Sequence, residues 1–145
     1  LASIIAVNKC VREFINNLQY QFVKKNKNYR GFVIDGRDIG SVVFKNADLK
    51  LYIVVNSEIR AKRRYKQLID SGEKSIYQKI LKDIKLRDKT DKNRKHSPLV
   101  IPKGAYIIDN NSSFKKTIKQ IRVIFNKYKW TKIIFRSSQT QNTTL

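Results

Sequence analysis

The stretch that most constrains the fold is residues 32–44, which read FVIDGRDIGSVVF. An apolar run opens it, as in a buried strand, and a polar turn with two carboxylates and an arginine follows. We predict a strand over 32–35 whose carboxyl end carries charged groups, because open α/β sheets bind ligands at that end of their strands. Gly36 and Gly40 are predicted to permit positive φ and a close approach of ligand to backbone. A strand followed by a charged surface turn is the alternative.

Hydrophobic periodicity divides the rest of the chain into alternating helices and strands. We predict helices over 4–24, 57–70, 76–92 and 114–128, and further strands over 49–55 and 105–109. This alternation indicates an α/β domain with a parallel sheet and crossover helices. Three strands are few for such a sheet, so an incomplete domain is expected over 1–130. Residues 131–145 are predicted to be a polar, frayed tail.

The composition narrows the class of protein. A chain of 145 residues is one domain or part of one. Its single cysteine, Cys10, is predicted to be a buried apolar residue; it permits no internal disulfide, which fits a reducing cytoplasmic setting. No apolar run approaches the ~20 residues of a membrane span, so no membrane partner is expected. The formal charge of +21 favours a polyanionic partner without choosing among nucleotides, nucleic acid and acidic lipid.

Three charged residues at the end of the third predicted helix share one helix face. Arg87, Asp91 and Arg94 follow one another at spacings of four and three. Guanidinium groups match phosphate oxygens bidentately, and a carboxylate beside them can accept hydrogen bonds from sugar hydroxyls. The pattern suits a sugar-phosphate site, and a solvated basic face with an intrahelical ion pair is the alternative.

A second basic cluster lies on the helix that follows strand 49–55. Arg60, Arg63 and Arg64 lie within one helical turn of each other. A mobile lid helix that lays guanidinium groups over transferring phosphates would have this pattern. A solvated basic helix explains the spacing as well.

Taken together, these segments resemble bacterial cytidylate kinases. The resemblance is carried by the strings DGRDIGSVVF, RAKRR and LRDKTDKNR followed by SPL, with a further match at Ala2-Ser3 and Val11-Arg12-Glu13. It covers about residues 1–128. It implies a P-loop nucleoside monophosphate kinase fold and a cytoplasmic enzyme of pyrimidine nucleotide metabolism. The implied reaction transfers a phosphoryl group from ATP, with Mg²⁺, to CMP or dCMP, which gives CDP or dCDP.

The resemblance also implies a role for each candidate residue. Three residues would read the cytosine edge: Ser3, Arg12 and Asp38. Three would hold the acceptor phosphate: Arg37, Arg87 and Arg94. The sugar would be held by Asp91 together with Arg87. The lid would contain Arg60, Arg63 and Arg64. An outer-shell partner of magnesium would be Asp35. No protein nucleophile is required, because the CMP phosphate itself attacks.

The glycine-rich phosphate loop of such kinases is missing from the sequence. It reads G-x-x-x-x-G-K-[ST], and none of the five glycines fits that pattern. The resemblance places this loop and the first strand upstream of residue 1. We therefore expect this sequence to be the C-terminal part of a cytidylate kinase. This part is expected to be inactive alone and to have the N-terminal half of the same kinase as a partner.

Two alternatives remain open. The first is a decayed, non-catalytic remnant of the same family. The second is a small basic nucleic-acid-binding protein, which the charge favours because phosphate neutralisation supports non-specific binding. The spread of basic residues along the chain and the lack of a recognised binding motif disfavour nucleic acid as the partner.

Overall fold

The computed structural model describes residues 8–26 and 28–128, and within these ranges the chain forms four α-helices and a two-stranded sheet. The elements are helix α1 (Lys9–Lys25), a π-helical turn (Ile39–Val43), strand β1 (Leu51–Val54), helix α2 (Ser57–Asp70), helix α3 (Tyr77–Asn93), strand β2 (Tyr106–Asp109) and helix α4 (Phe114–Lys127). The predicted alternation of helices and strands is confirmed from β1 onward. None of the described helices has the length and apolarity needed to cross a membrane.

The sheet is parallel, as predicted, and its two strands lie within the predicted ranges. Leu51 lies opposite Tyr106 and Val54 opposite Asp109. Ile108 is fully buried, and α4 packs against β2. Helices α2 and α3 connect the two strands and pack against each other. The crossover therefore consists of a helical hairpin, and this hairpin carries five of the candidate site residues: Arg60, Arg63, Arg64, Arg87 and Asp91.

The predicted strand over 32–35 is not formed. Residues 31–36 are irregular, Val33 is fully exposed, and the sheet among the described residues holds only β1 and β2. Phe32 packs against Phe22 and Tyr29 instead, with ring centroids 6.0 and 5.8 Å apart. A strand needs a neighbour to accept and donate its backbone hydrogen bonds. No described strand lies beside this segment, so its apolar pattern alone does not make it a strand.

Gly36 and Gly40 do not adopt positive φ, so that part of the prediction is wrong, while the close approach of a ligand stays a prediction. They are needed for space. A Cβ at Gly36 would lie 2.6 Å from Cγ1 of Ile39, and one at Gly40 would lie 3.1 Å from Cγ of Pro102. The absence of a side chain lets the loop pack closely against the π-helical turn and the segment before β2.

Helix α1 begins later than predicted and is more exposed. Asn8 caps it, because its side-chain oxygen accepts from the backbone N–H groups of Cys10 and Val11 at 3.0 and 3.3 Å. Cys10 is exposed, which corrects the expectation of a buried thiol. The apolar stripe that contains Phe14 and Leu18 is also exposed in the described structure. Ser3 and the tail 131–145, with the domain boundary at 130, lie outside the described residues.

Candidate functional site

Charged side chains from distant parts of the chain meet beside the π-helical turn. They are Arg12 of α1, Arg37 and Asp38 of the preceding loop, Asp91 of α3 and Arg94, the residue that ends α3. We call these five residues, with the neighbouring Arg87, the acceptor cluster. The structure thus brings together all but one of the residues predicted to bind substrate, and Ser3 lies outside the described part.

Asp38 holds Arg12 at the start of the π-helical turn. Nη1 of Arg12 donates to Oδ2 of Asp38 at 2.5 Å, and both side chains are largely buried. The backbone carbonyl of Asp38 accepts from the N–H groups of Val42 and Val43 at 2.8 and 3.3 Å. These bonds fix Asp38 in the turn, so the position of the carboxylate is set by the local fold and by its charged partner.

Asp91 is the common partner of three guanidinium groups. Nε of Arg37 donates to Oδ2, and Nη1 of Arg94 donates to Oδ1 at 3.2 Å. Nε of Arg87 lies 3.9 Å from Oδ2. Asp91 is buried, and its backbone carbonyl accepts from the N–H of Leu99 at 2.7 Å. Asp91 therefore holds guanidinium groups that come from α3 and from the loop before the π-helical turn.

Arg94 is the most enclosed cation of the acceptor cluster. Its side chain is 5% exposed, and its Nε donates to the carbonyl of Ser97. Nη2 is buried and has no hydrogen-bond partner. Burial lowers the pKa of Arg94, and the nearby charge of Arg12 lowers it further, yet a guanidinium stays protonated at neutral pH. A buried unsatisfied donor is costly, and an oxyanion is the acceptor that would satisfy this one.

The acceptor cluster carries more positive than negative charge. Four guanidinium groups face two carboxylates, so the described site suits an anion. Arg94 and Asp91 are enclosed, which argues against the solvated basic face for these two residues. The side chain of Arg87 is 52% exposed, so Arg87 fits the description of a solvated basic face and lies at the rim of the acceptor cluster.

The three arginines of α2 have three different partners. Arg60 forms a two-point ion pair with Asp88 of α3, with Nη1 to Oδ1 at 2.9 Å and a second contact from Nη2 to Oδ2. Nη2 of Arg63 donates to the carbonyls of Asn110 and Ser112, at 2.9 and 3.1 Å. Arg64 contacts Gln67 on its own helix, and both are exposed. The three guanidinium groups therefore do not converge on one point. Only the partner of Arg60, Asp88, lies one helical turn from a residue of the acceptor cluster.

Sequence reasoning missed Asp88. A signal was available, because Asp88 and Asp91 are three apart and so share the face of α3 that meets other elements. Arg60 lowers the pKa of Asp88 through its hydrogen bonds, and the charges of Lys92 and Arg37 lower it further. Asp88 binds Arg60 and lies one helical turn before Asp91, so it connects α2 to the helix that carries part of the acceptor cluster.

The described residues do not form a magnesium site by themselves. Asp35 is exposed, and no group of three metal-ligating side chains occurs within 8–26 and 28–128. Mg²⁺ requires near-octahedral oxygen ligands, which in kinases come largely from substrate phosphates and water. A single exposed carboxylate supplies at most one direct ligand, and the outer-shell role of Asp35 stays a prediction.

The family model for cytidylate kinase matches residues 1–128. A cytidylate kinase of Thermosipho africanus is 45% identical over 120 residues, which make up 83% of this chain and 51% of that protein. One of Rickettsia akari is 47% identical over 111 residues, or 77% of this chain and 49% of the relative. One of Bartonella bacilliformis is 44% identical over 110 residues, or 76% and 50%. The chain spans about half the length of the curated relatives it matches.

Proposed function

Because the chain belongs to the cytidylate kinase family, and so to the P-loop nucleoside monophosphate kinase fold, we propose that it carries the CMP-binding part of a kinase that transfers a phosphoryl group from ATP to CMP or dCMP. The observation that carries the proposal is the enclosed Arg94, whose unpaired Nη2 donor lies in a cluster with excess positive charge. The kinase acts in pyrimidine nucleotide metabolism in the cytoplasm.

The acceptor phosphate lies against Arg37, Arg87 and Arg94. Asp91 orients these guanidinium groups before the nucleotide arrives, so little reorganisation is needed on binding. The phosphate supplies an acceptor for Nη2 of Arg94 and offsets the excess charge. A carboxylate offers about four acceptor positions, so Asp91 keeps capacity for a sugar hydroxyl beside its arginine partners.

Asp38 and Arg12 read the cytosine base, together with Ser3. Cytosine presents an amino donor where uracil presents a carbonyl acceptor, and a carboxylate accepts from the amino group. Uracil would place its carbonyl oxygen against an oxygen of the buried Asp38, so that two acceptors would face each other without a proton between them. Arg12 keeps the carboxylate in place from the other side.

The donor side of the reaction requires more of the fold than the described residues provide. ATP, with Mg²⁺, needs the backbone N–H groups and the lysine of a glycine-rich loop, and no segment of this sequence fits that pattern. We therefore expect these 145 residues to bind CMP and to lack phosphoryl transfer on their own. The three arginines of α2 are the candidates for contacts to the transferring phosphate.

The test is calorimetric titration of the 145-residue chain with CMP. Arg94→Ala should weaken binding by about 2–5 kcal/mol, because it removes an enclosed charge partner of the phosphate. Lys92→Ala is the matched control: it removes a cation from the exposed side of the same helix turn and should change the affinity little. Equal losses at both positions, with steep salt dependence on DNA, would favour the nucleic-acid-binding alternative instead.

A further inference from the structure

One ion pair outside the acceptor cluster joins the two helices of the hairpin. The two terminal nitrogens of Arg60 donate to the two oxygens of Asp88, in the fork geometry that arginine and a carboxylate form best. Both side chains are partly buried. The pair connects the start of α2 to the last third of α3, so it is a contact between elements.

Asp88 lies one helical turn before Asp91, and each of the two carboxylates binds an arginine from another element. Asp91 holds Arg37, which comes from the loop before the π-helical turn, while Asp88 holds Arg60, which comes from α2. Each carboxylate of α3 thus fixes a guanidinium from another part of the chain. Because Asp88 and Asp91 lie one turn apart on the same face of α3, the two guanidinium groups are bound at adjacent positions of that face.

Arg60 retains an unpaired edge. A guanidinium has five N–H donors, and Asp88 occupies the terminal nitrogens. Nε of Arg60 is buried and has no hydrogen-bond partner. A second oxyanion can accept from Nε and its neighbouring terminal nitrogen while Asp88 remains bound, since the two edges of the planar group are separate.

The hairpin is also linked at two other levels. Nζ of Lys85 lies 2.9 Å from Oε1 of Glu58, and the rings of Tyr65 and Tyr77 meet edge to face with centroids 6.3 Å apart. These contacts fix α2 to α3 along the hairpin, so a guanidinium bound to Asp88 is held in position relative to Asp91.

We propose that Asp88 is a positioning residue, which holds the Arg60 guanidinium beside the acceptor cluster so that its free edge meets the phosphoryl group being transferred. The proposal rests on the proposed function and deepens it. Arg60 is the arginine of α2 placed for this contact, since Arg63 is bound to loop carbonyls and Arg64 to its own helix. Asp88 does not touch the nucleotide.

The test compares the affinities of the 145-residue chain for CDP and CMP by calorimetry. The second phosphate of CDP is the transferred group, so it alone reports on Arg60. Asp88→Asn, which keeps the shape and removes the charge, should weaken CDP binding about tenfold and leave CMP binding within about twofold, because CMP relies on Arg37, Arg87 and Arg94. Asp88→Glu, which restores the carboxylate, should recover part of the CDP affinity.

Asp83→Asn is the matched control, because it removes the same charge from an exposed position of the same helix and should change neither affinity. Circular dichroism and the melting temperature establish that each variant is folded.

Equal losses of CDP and CMP affinity in Asp88→Asn would show that the Arg60–Asp88 pair merely links the two helices, and this would overturn the proposal. A gain in CDP affinity would overturn it too, since Asp88 would then compete with the phosphate for Arg60. Absence of CMP binding by the unmodified chain would contradict the proposed function itself. If the unmodified chain binds CMP and Asp88→Asn leaves the ratio of CDP affinity to CMP affinity unchanged, only the role of Asp88 is contradicted.

Discussion

At the scale of single residues, burial separates arginines that sequence spacing treats alike. Arg87 and Arg94 flank Asp91 at four and three residues, and both have the reach to contact a phosphate. In the structure Arg94 is enclosed and bonded to a backbone carbonyl, whereas Arg87 lies at the rim with a 3.9 Å contact. A desolvated charge interacts more strongly with an anion than a solvated one. Arg94 should therefore dominate the affinity and Arg87 should adjust it.

The same reasoning gives a prediction for base selectivity at Asp38. Replacing Asp38 with Asn should remove most of the preference for CMP over UMP, because the amide can turn its N–H₂ group toward the uracil oxygen. A site built around one hydrogen-bonding pattern rejects the wrong partner by several powers of ten at best, so a change of about tenfold or more in the affinity ratio is expected. The measurement is a pair of titrations, with CMP and with UMP, in the absence of Mg²⁺.

Asp35→Asn serves as the control for that experiment. It removes a carboxylate three residues away that is exposed. Its affinity ratio should equal that of the unmodified chain. If Asp38→Asn instead weakens both nucleotides by the same factor, Asp38 acts only as the ion-pair partner of Arg12 and does not read the base.

At the scale of elements, the α2–α3 hairpin is the unit that organises the charged groups. It carries Arg60, Asp88, Asp91 and the exposed Glu58–Lys85 pair. The hydrogen bond from Lys85, with smaller contributions from the backbone and Ser57, lowers the pKa of Glu58 to about 2. Arg60 lowers the pKa of Asp88 in the same way. Both carboxylates are thus stabilised in their charged forms by partners on the opposite helix.

The hairpin should consequently lose stability in acid. A carboxyl group whose pKa is depressed by folding contributes fully above its unfolded value, which is 4.5 for Glu58, and the contribution is lost as the pH falls toward about 2. Glu58→Gln should therefore lower the melting temperature at pH 7, and the difference from the unmodified chain should shrink between pH 4.5 and pH 2. Solvent screening keeps the effect small, because Glu58 is exposed.

Thermal melts followed by circular dichroism at a series of pH values measure that difference. Glu73→Gln, which removes the same charge from the loop after α2, is the comparison. A difference for Glu58→Gln that stays constant from pH 7 to pH 2 would show that the Lys85 contact does not stabilise the hairpin.

The helices could be predicted from sequence, and the contacts between elements could not. Periodicity placed α2 and α4 almost to the residue, because an amphipathic pattern is local information. The prediction of a strand over 32–35 is wrong because a strand also needs a neighbouring strand for its backbone hydrogen bonds. An apolar run in the sequence does not indicate whether such a neighbour is present. The Arg60–Asp88 pair joins residues 28 apart in sequence, so only the packing of the hairpin reveals it.

At the scale of the whole molecule, the described residues have little core. Among them only Ala61, Ile108 and Ile124 are buried apolar residues. Ile53 and Ile107 of the sheet are 52% and 57% exposed, and an open groove of about 570 Å³ lies between β2 and α4, away from the acceptor cluster. Parallel sheets are normally covered on both faces, and two short strands are marginal alone. We propose that the part of the family fold that the matched relatives carry beyond the shared segment covers these exposed faces of the sheet.

We accordingly predict that supplying this part raises stability and creates activity. The unmatched half of the Thermosipho africanus relative, joined to or mixed with the 145-residue chain, should raise its melting temperature and reduce the binding of a hydrophobic dye. Turnover of CMP with ATP and Mg²⁺, on the order of 1 per second as in ordinary enzymes, should appear in the complex and be absent from the chain alone. Coupled spectrophotometric assay measures it.

Ile107→Lys tests the proposed surface, because it places a charge on the exposed face of β2 and should weaken the association. Ile69→Lys makes the same change at an exposed position of α2 and should not. Turnover by the chain alone would contradict the expected need for a second part. A stable complex that binds CMP and remains inactive would identify the chain as the decayed remnant considered above.

The position of Asp91 has a genetic consequence. Because Arg37, Arg87 and Arg94 share this one carboxylate, substitutions at the three arginines are epistatic: each alters the environment of the other two, and their effects will not add. Loss of Asp91 would leave three like charges facing one another, and no single change at any of the arginines restores the arrangement. A lineage that lost this carboxylate and then lost arginines to relieve their repulsion would need several coordinated substitutions to return, so drift at Asp91 becomes difficult to reverse once the arginines have changed.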